Sequence, residues 1–194
     1  MNEVIQLLPY DGDTKNYGVI YDTIKANHYF NYLLTEIPWK HDEVFLYGKH
    51  ITTSRKVAWF WDTNYSYKYS WKTRVALAWT PELLEIKKYV EQISWEQFNS
   101  CLLNLYADGS QWMWWHHDDE KSLKKDGVIA SVSFWAERRF DMRHKATKEK
   151  IMTNLWHGSL LVMSGKTQTY WQHQIPKTVK VTSPRINLTF RKMI

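Results

Sequence analysis

The chain has one cysteine, five prolines, seven glycines and no long apolar run in its 194 residues. A single thiol, Cys101, excludes an intramolecular disulfide and suits a reducing compartment. No apolar stretch approaches the roughly 18 residues that crossing a membrane takes, so no membrane span is expected. Met1-Asn2-Glu3 opens no basic segment followed by an apolar run, so no secretory signal is expected. Repeats and low-complexity tracts are missing too. Acidic residues are the minority, 20 against 26 Lys and Arg, for a net charge of +6. That balance favours an anionic partner, nucleic acid among them. Hydrophobic residues reach 44 %, enough for a real core, which excludes global disorder. The expectation is one domain over 1–194, acting as a monomer in the cytoplasm, or in the nucleus of a eukaryote.

Residues 1–18 read as extended, with a turn at Asp11-Gly12-Asp13. Ile20, Ile24, Phe30, Leu33 and Leu34 recur at helical spacing over 19–36, and Pro38 should stop that helix at Ile37. Thr80-Pro81 supplies an N-cap and a first-turn proline for a second helix carrying Leu83, Leu84, Ile86, Val90 and Ile93. From about residue 97 the pattern changes to short strands, at Phe98 to Tyr106, Val128 to Trp135, Arg139 to Arg143, Leu160 to Met163 and Ile186 to Arg191. Helices followed by strands predict an α+β fold, with helices packed on a β-sandwich or barrel.

Three short patterns carry the chemistry: His116-x-Asp118, a lone His173, and Arg185-x-Asn187-x-x-x-Arg191. In an extended segment His116 and Asp118 project to one side and His117 to the other. Two imidazoles and one carboxylate suit the facial triad that holds non-haem Fe(II) with positions left open. His173 must then come from a neighbouring strand. The planar fork of an arginine suits a carboxylate co-substrate. Each pattern alone has a bland reading: a solvated histidine beside Asp118-Asp119-Glu120, a core histidine, a basic edge strand. Their order and spacing together are far more specific.

Those residues, with N-L-Y-A-D-G, H-H-D-D-E, I-A-S-V-S-F, R-R-F-D-M-R-H-K, H-G-S-L-L-V-M, W-Q-H-Q-I-P and P-R-I-N-L-T-F-R-K, carry a resemblance. From about residue 97 to 192 the chain resembles the AlkB family of Fe(II)/2-oxoglutarate-dependent nucleic-acid dealkylases, closest to its H-x-D-D-E DNA-repair branch. The resemblance implies a double-stranded β-helix, or jelly roll, with supporting N-terminal helices. About 1–96 would supply helices and nucleotide-recognition hairpins, and about 97–194 the catalytic core. It implies Fe(II) held by His116, Asp118 and His173, and 2-oxoglutarate held among Arg185, Arg191, Asn104, Tyr106 and Asn187. The substrate implied is DNA, and RNA as a further one, carrying bases such as 1-methyladenine or 3-methylcytosine. Their methyl groups would leave as formaldehyde while 2-oxoglutarate becomes succinate. The base must leave the stack to be reached. Tyr69, with Tyr67 beside it, matches an aromatic stacked on that base opposite His116. Glu120 matches a contact to the base edge, and Tyr47 a hairpin tip that wedges into the duplex. Arg55, Lys56, Arg138, Arg139, Arg143, Lys145 and Lys148 are candidates for phosphate contacts. Two alternatives stay open: an oxygenase of protein, lipid or metabolite, and a catalytically impaired nucleic-acid-binding homologue.

One departure stands out. Tryptophan occurs 12 times, and glycine is at about half its usual share of ~7 %. Trp61, Trp71, Trp95, Trp114 and Trp135 fall where the family commonly has glycine. One explanation is a gene whose UGA codons its source reads as glycine. Deliberate filling of the site and a naturally tryptophan-rich pocket are the others. If the rings are real, Trp114 and Trp135 are expected to crowd the metal segment, since overpacking costs about 1–3 kcal/mol per site.

Overall fold

The computed structural model describes residues 3–46, 49–62, 66–69 and 72–194, with backbone alone for 44–46, 49–51, 66–69 and 72–75. In chain order the first elements are β1 (Ile5–Gln6), β2 (Asp13–Val19), α1 (Thr23–Glu36), β3 (Lys40–Leu46), β4 (Lys49–Trp61), β5 (Ser66–Tyr69), β6 (Lys72–Val75) and α2 (Pro81–Ser94). Then follow β7 (Ser100–Tyr106), β8 (Met113–His116), β9 (Ile129–Trp135), β10 (Arg138–His144), β11 (Lys150–Leu155), β12 (Ser159–Ser164), α3 (Thr167–Tyr170), β13 (Trp171–Ile175) and β14 (Arg185–Arg191).

Period-two alternation in the central strands creates two cores on opposite faces of one sheet. Leu160 and Val162 of β12, Ala130, Val132 and Phe134 of β9, and Ile186, Leu188 and Phe190 of β14 join one cluster. That cluster also holds Ala26, Tyr29, Phe30 and Leu33 of α1 and Leu83, Ile86 and Val90 of α2. The alternate residues Leu161 and Met163 of β12 and Ile129 of β9 face the second sheet, where they meet Phe140, Met142, Leu155, Trp171 and Ile175. The major sheet runs β1-β2-β12-β9-β14-β7-β4-β3, and the minor one β11-β10-β13-β8. Two facing sheets of antiparallel strands with helices outside the larger one form the expected α+β jelly roll.

Helix α1 begins only after β2, at an Asp22 cap that accepts from the Lys25 N–H, so Val19 is strand and not helix. Its inward face is Ala26, Tyr29, Phe30 and Leu33. Ile24 lies off that stripe and is 84 % exposed, against its expected place in the core, and Leu34 is exposed as well. The helix ends at Ile37, whose ψ of 130° is extended, as a residue before proline should be. Thr80 caps α2 through its side chain, and Pro81 takes the first turn. The five expected strands all form, as β7, β9, β10, β12 and β14. The expectation placed a hairpin tip at Tyr47 but gave no bounds for β3 and β4, which pair with each other and extend the major sheet beyond β7. Hydroxyl and basic residues dilute the apolar alternation in Thr52-Thr53-Ser54-Arg55-Lys56.

Backbone geometry bears on the tryptophans. Trp95, at the C-cap of α2, has φ 55° and ψ 35°. Trp135, at the end of β9, has φ 71°. Both occupy the left-handed region that favours glycine. Trp95 is 92 % exposed, while the Trp135 ring stacks on Phe30 at 4.8 Å. Trp61 is buried in β4 beside Trp59. Trp71 lies outside the described residues.

Candidate active site

The site forms where β8 and β13 pair. Their antiparallel register sets His116 opposite His173, with ring centroids 4.2 Å apart. Asp118 follows two residues after β8 ends. One ligand atom from each of His116, Asp118 and His173 lies within 4.8 Å of the others, so the three can share an ion. His117 turns away and pairs with Asp119 at 2.8 Å.

The protonation pattern suits a cation. His116 Nδ1 lies 2.7 Å from the Trp114 carbonyl oxygen. A carbonyl only accepts, so Nδ1 carries a proton and Nε2 is the nitrogen left to face an ion. Burial, then the neighbouring His116, pushes the His173 imidazole down to about 3, so it is neutral at pH 7. Burial pushes the Asp118 carboxyl up, but Arg191 and the histidines outweigh it and hold the group below its ordinary range. Arg191 Nη2 donates to Asp118 Oδ1 at 2.7 Å. Its Nη1 reaches the half-exposed Glu120 carboxylate at 3.5 Å. One carboxylate and two imidazoles thus converge, a donor set that fits ferrous iron.

A second feature shares the same cavity, of about 160 Å³. The register of β7 and β14 sets Asn104 opposite Asn187 and Tyr106 opposite Arg185. Arg185 is 1 % exposed. Its Nη2 donates to Ser133 Oγ at 2.8 Å, while Nε and Nη1 have no partner among the described residues. The guanidinium lies against the Tyr106 ring at 5.6 Å. Burial lowers its pKa to about 10, which still leaves it charged at neutral pH. A buried charge without a counter-ion costs several kcal/mol, so an entering carboxylate fits here. Asn104 Oδ1 is also buried without a partner. Asn187 differs: its amide NH2 is spent on Ser131 Oγ and the Val132 carbonyl.

Beside the site, Asp118, Glu120 and Arg191 also border a wider hollow of about 520 Å³ walled by Lys121, Lys124, Lys125, Lys145 and Lys192. Among the phosphate candidates, Arg138 is a correction. It is 2 % exposed and donates to the carbonyls of Asp108, Gln111 and Pro176, so it fastens loops. Arg55 is likewise taken, by Asp42 at 2.9 Å. Arg143 lies over the Trp115 ring at 4.3 Å. The crowding expected from Trp114 and Trp135 is absent, because neither lines the cavity and Trp114 is 66 % exposed. Tyr47 lies outside the described residues. Tyr67 and Tyr69 fall on β5, where the backbone alone is described. Sequence reasoning missed Ser133, which holds Arg185, and Gln168, which holds Asp118.

Comparison with known proteins agrees with this geometry. The profile of the 2OG-Fe(II) oxygenase superfamily matches residues 19–191. The alpha-ketoglutarate-dependent dioxygenase alkB homolog 3 of Bos taurus is 37 % identical over 183 residues, covering 88 % of this chain and 62 % of its own length. The chain thus spans less than two thirds of that relative. DNA oxidative demethylase ALKBH2 of Homo sapiens is 36 % identical over 190 residues, covering 92 % of this chain and 73 % of its own. The solved structure of OsALKBH1 superposes with a TM-score of 0.63 at 15 % identity, over 96 % of this chain and all of that one, which supports the fold. Membership implies iron(II) and 2-oxoglutarate as cofactors, for which the His116–Asp118–His173 cluster and buried Arg185 provide fitting residues. The chain belongs to the 2OG-Fe(II) oxygenase superfamily.

Proposed function

We propose that this chain removes N-linked alkyl groups from DNA bases by oxidation, with 1-methyladenine and 3-methylcytosine as substrates and RNA as a further one. The observation that carries the reading is one cavity holding both a three-ligand cluster and a buried, uncompensated guanidinium. That pairing is what a metal-bound keto acid with a distal carboxylate calls for. The nucleic-acid substrate rests on the relatives named as DNA demethylases and on the lysine-walled hollow beside Asp118 and Glu120.

In this reading His116, Asp118 and His173 hold the iron. Arg185 takes the distal carboxylate of 2-oxoglutarate, with Asn104 and Tyr106 beside it. Asn187 fixes the strand face, and Arg191 holds Asp118 ionised and aimed. Bound there, Fe(II) and 2-oxoglutarate would supply an oxidation of the N-linked methyl by dioxygen, with formaldehyde, succinate and CO2 as products. The chain supplies position and dryness. His173 stays neutral by burial, so its lone pair is available at working pH. Glu120, at the cavity rim, offers a carboxylate to the edge of a cationic alkylated base. By the resemblance, Tyr69, with Tyr67 as its neighbour, would stack on the extruded base, and Tyr47 would wedge into the duplex. The compartment proposed is that of the nucleic acid, cytoplasm or nucleus, and the acting species is the monomer.

The test is formaldehyde release from oligonucleotides carrying either lesion, with Fe(II) and 2-oxoglutarate. Activity is expected with wild type and none with His173→Ala or Asp118→Ala. Succinate formed equally with and without methylated oligonucleotide would move the substrate to another class. Salt-dependent binding without turnover would indicate an impaired homologue.

A further inference from the structure

Two of the three clustered side chains sit on strands, and the third does not. His116 closes β8 and His173 lies inside β13, each held by sheet pairing. Asp118 lies past the end of β8, in a segment without regular structure. Its backbone N–H is not left free. It donates to Gln168 Oε1 at 2.9 Å, a buried contact across 50 residues of sequence. The amide orientation is forced, because an N–H needs the oxygen, and Gln168 Nε2 then faces the Met163 thioether at 3.5 Å.

Gln168 is itself anchored. It lies in the single turn α3, which leads directly into β13 and so into His173. The preceding Thr167 hydroxyl accepts from the Asp13 N–H at 2.9 Å and donates to the Ser164 carbonyl at 2.7 Å. Lys145 Nζ donates to the Gln168 carbonyl at 2.9 Å. The turn is thus fixed from β2, β12 and the end of β10 before it reaches Asp118.

We infer that Gln168 is a positioning residue for the metal: its side-chain oxygen replaces the ladder bond that Asp118 lacks and sets the carboxylate at the distance the histidines require. Arg191 aims the carboxylate from its side-chain end, and Gln168 fixes the backbone end. This inference rests on the cluster being a metal site, and it concerns metal affinity, not substrate. Outer contacts of this kind typically change metal affinity about 10- to 100-fold.

The experiment uses the whole chain with Co(II) as the probe, read by calorimetry and by the cobalt absorption bands. Gln168→Leu keeps the volume and removes the oxygen; Gln168→Glu keeps an oxygen where it is needed. The Leu variant should bind Co(II) about 10- to 100-fold more weakly with altered absorption bands, and the Glu variant within about threefold of wild type. A structural role alone would lower the melting temperature of the metal-free protein and leave the affinity and spectrum unchanged. That outcome overturns the inference. The wild-type chain gives a test independent of any variant: in the metal-free protein the Asp118 amide should exchange slowly with solvent. Fast exchange there also overturns it. If wild type binds no Co(II), the metal reading itself fails, and this inference with it.

Discussion

Replacing Trp95 by glycine should stabilise the protein, although it deletes the largest side chain available. The residue ends α2 in the left-handed region, at φ 55°. An L-residue there pays about 1–2 kcal/mol that glycine does not. The ring recovers little of this, being 92 % exposed. Glycine brings its own cost, a looser unfolded chain, of about 0.4–1 kcal/mol. The balance is a gain of roughly 0.5–1 kcal/mol, or about 1–4 °C in melting temperature for a chain of this size. Alanine separates backbone from side chain: Trp95→Ala removes the same ring but keeps the strained conformation, so it should gain nothing. Urea unfolding of wild type and both variants at one pH measures all three. Equal stability of the Gly and Ala variants would refute the backbone argument. Trp135 gives the contrasting case. Its φ of 71° is equally unfavourable, but its ring stacks on Phe30 with planes 14° apart. Glycine there forfeits a contact worth about 0.5–1.5 kcal/mol beyond its buried area, so Trp135→Gly should be neutral or destabilising.

Three other outcomes are expected. The codons at 61, 71, 95, 114 and 135 should all be UGA under the recoding explanation, and a UGG at any of them removes it. Arg185→Met should raise the stability of the protein without 2-oxoglutarate, since it removes a buried and uncompensated charge, yet weaken 2-oxoglutarate binding by about 100-fold or more. A thermal scan with and without the keto acid shows both, and a destabilised ligand-free variant would argue that the guanidinium is already paired. The third concerns pH. His173 folds with a pKa depressed to about 3, against about 6.5 when unfolded. A depressed histidine lets the unfolded chain bind the proton first, so stability falls as pH drops below about 6.5 and stops falling only near 3. For the metal-free protein this is a loss of about 2 kcal/mol between pH 7 and 5, which His173→Asn should abolish. Parallel pH profiles for the two proteins would count against the burial argument.

The site was legible in the sequence where local period and chemistry coincide. Arg185 and Asn187, two apart on β14, follow from strand alternation alone, whereas Asp118 lies past the end of β8 and His116-x-Asp118 is legible from its chemistry and spacing. What stayed hidden depends on convergence from distant segments. Arg138 reads as a surface cation in Glu137-Arg138-Arg139, and only the fold brings the carbonyls of Asp108, Gln111 and Pro176 around it. Gln168 carries no motif, because its partner is a backbone N–H that every residue but proline possesses. Ile24 misled for a simpler reason: helical spacing was counted from Ile20, which lies before α1 begins at Thr23, so the apolar stripe was given the wrong starting residue.

The same alternation explains why fold and site are specified together. On β14, Arg185, Asn187 and Arg191 border the cavity, while Ile186, Leu188 and Phe190 are wholly buried against the helices. Strand β7 repeats this, with Asn104 and Tyr106 toward the cavity and Cys101 and Leu103 toward the helices. A slip of one residue in β14 would drive two arginines and an asparagine toward the apolar core and Ile186, Leu188 and Phe190 into the site, and a slip in β7 would exchange Asn104 and Tyr106 for Cys101 and Leu103. The hydrophobic requirement of the helix-facing core therefore fixes the register that the polar face uses. Two strands locked in this way determine where a carboxylate can be received, and the minor sheet, through β8 and β13, determines where an ion can sit beside it. Asp118 is the one member of the set that the sheets do not register, which is why its backbone contact to Gln168 is the place to look for control of the metal.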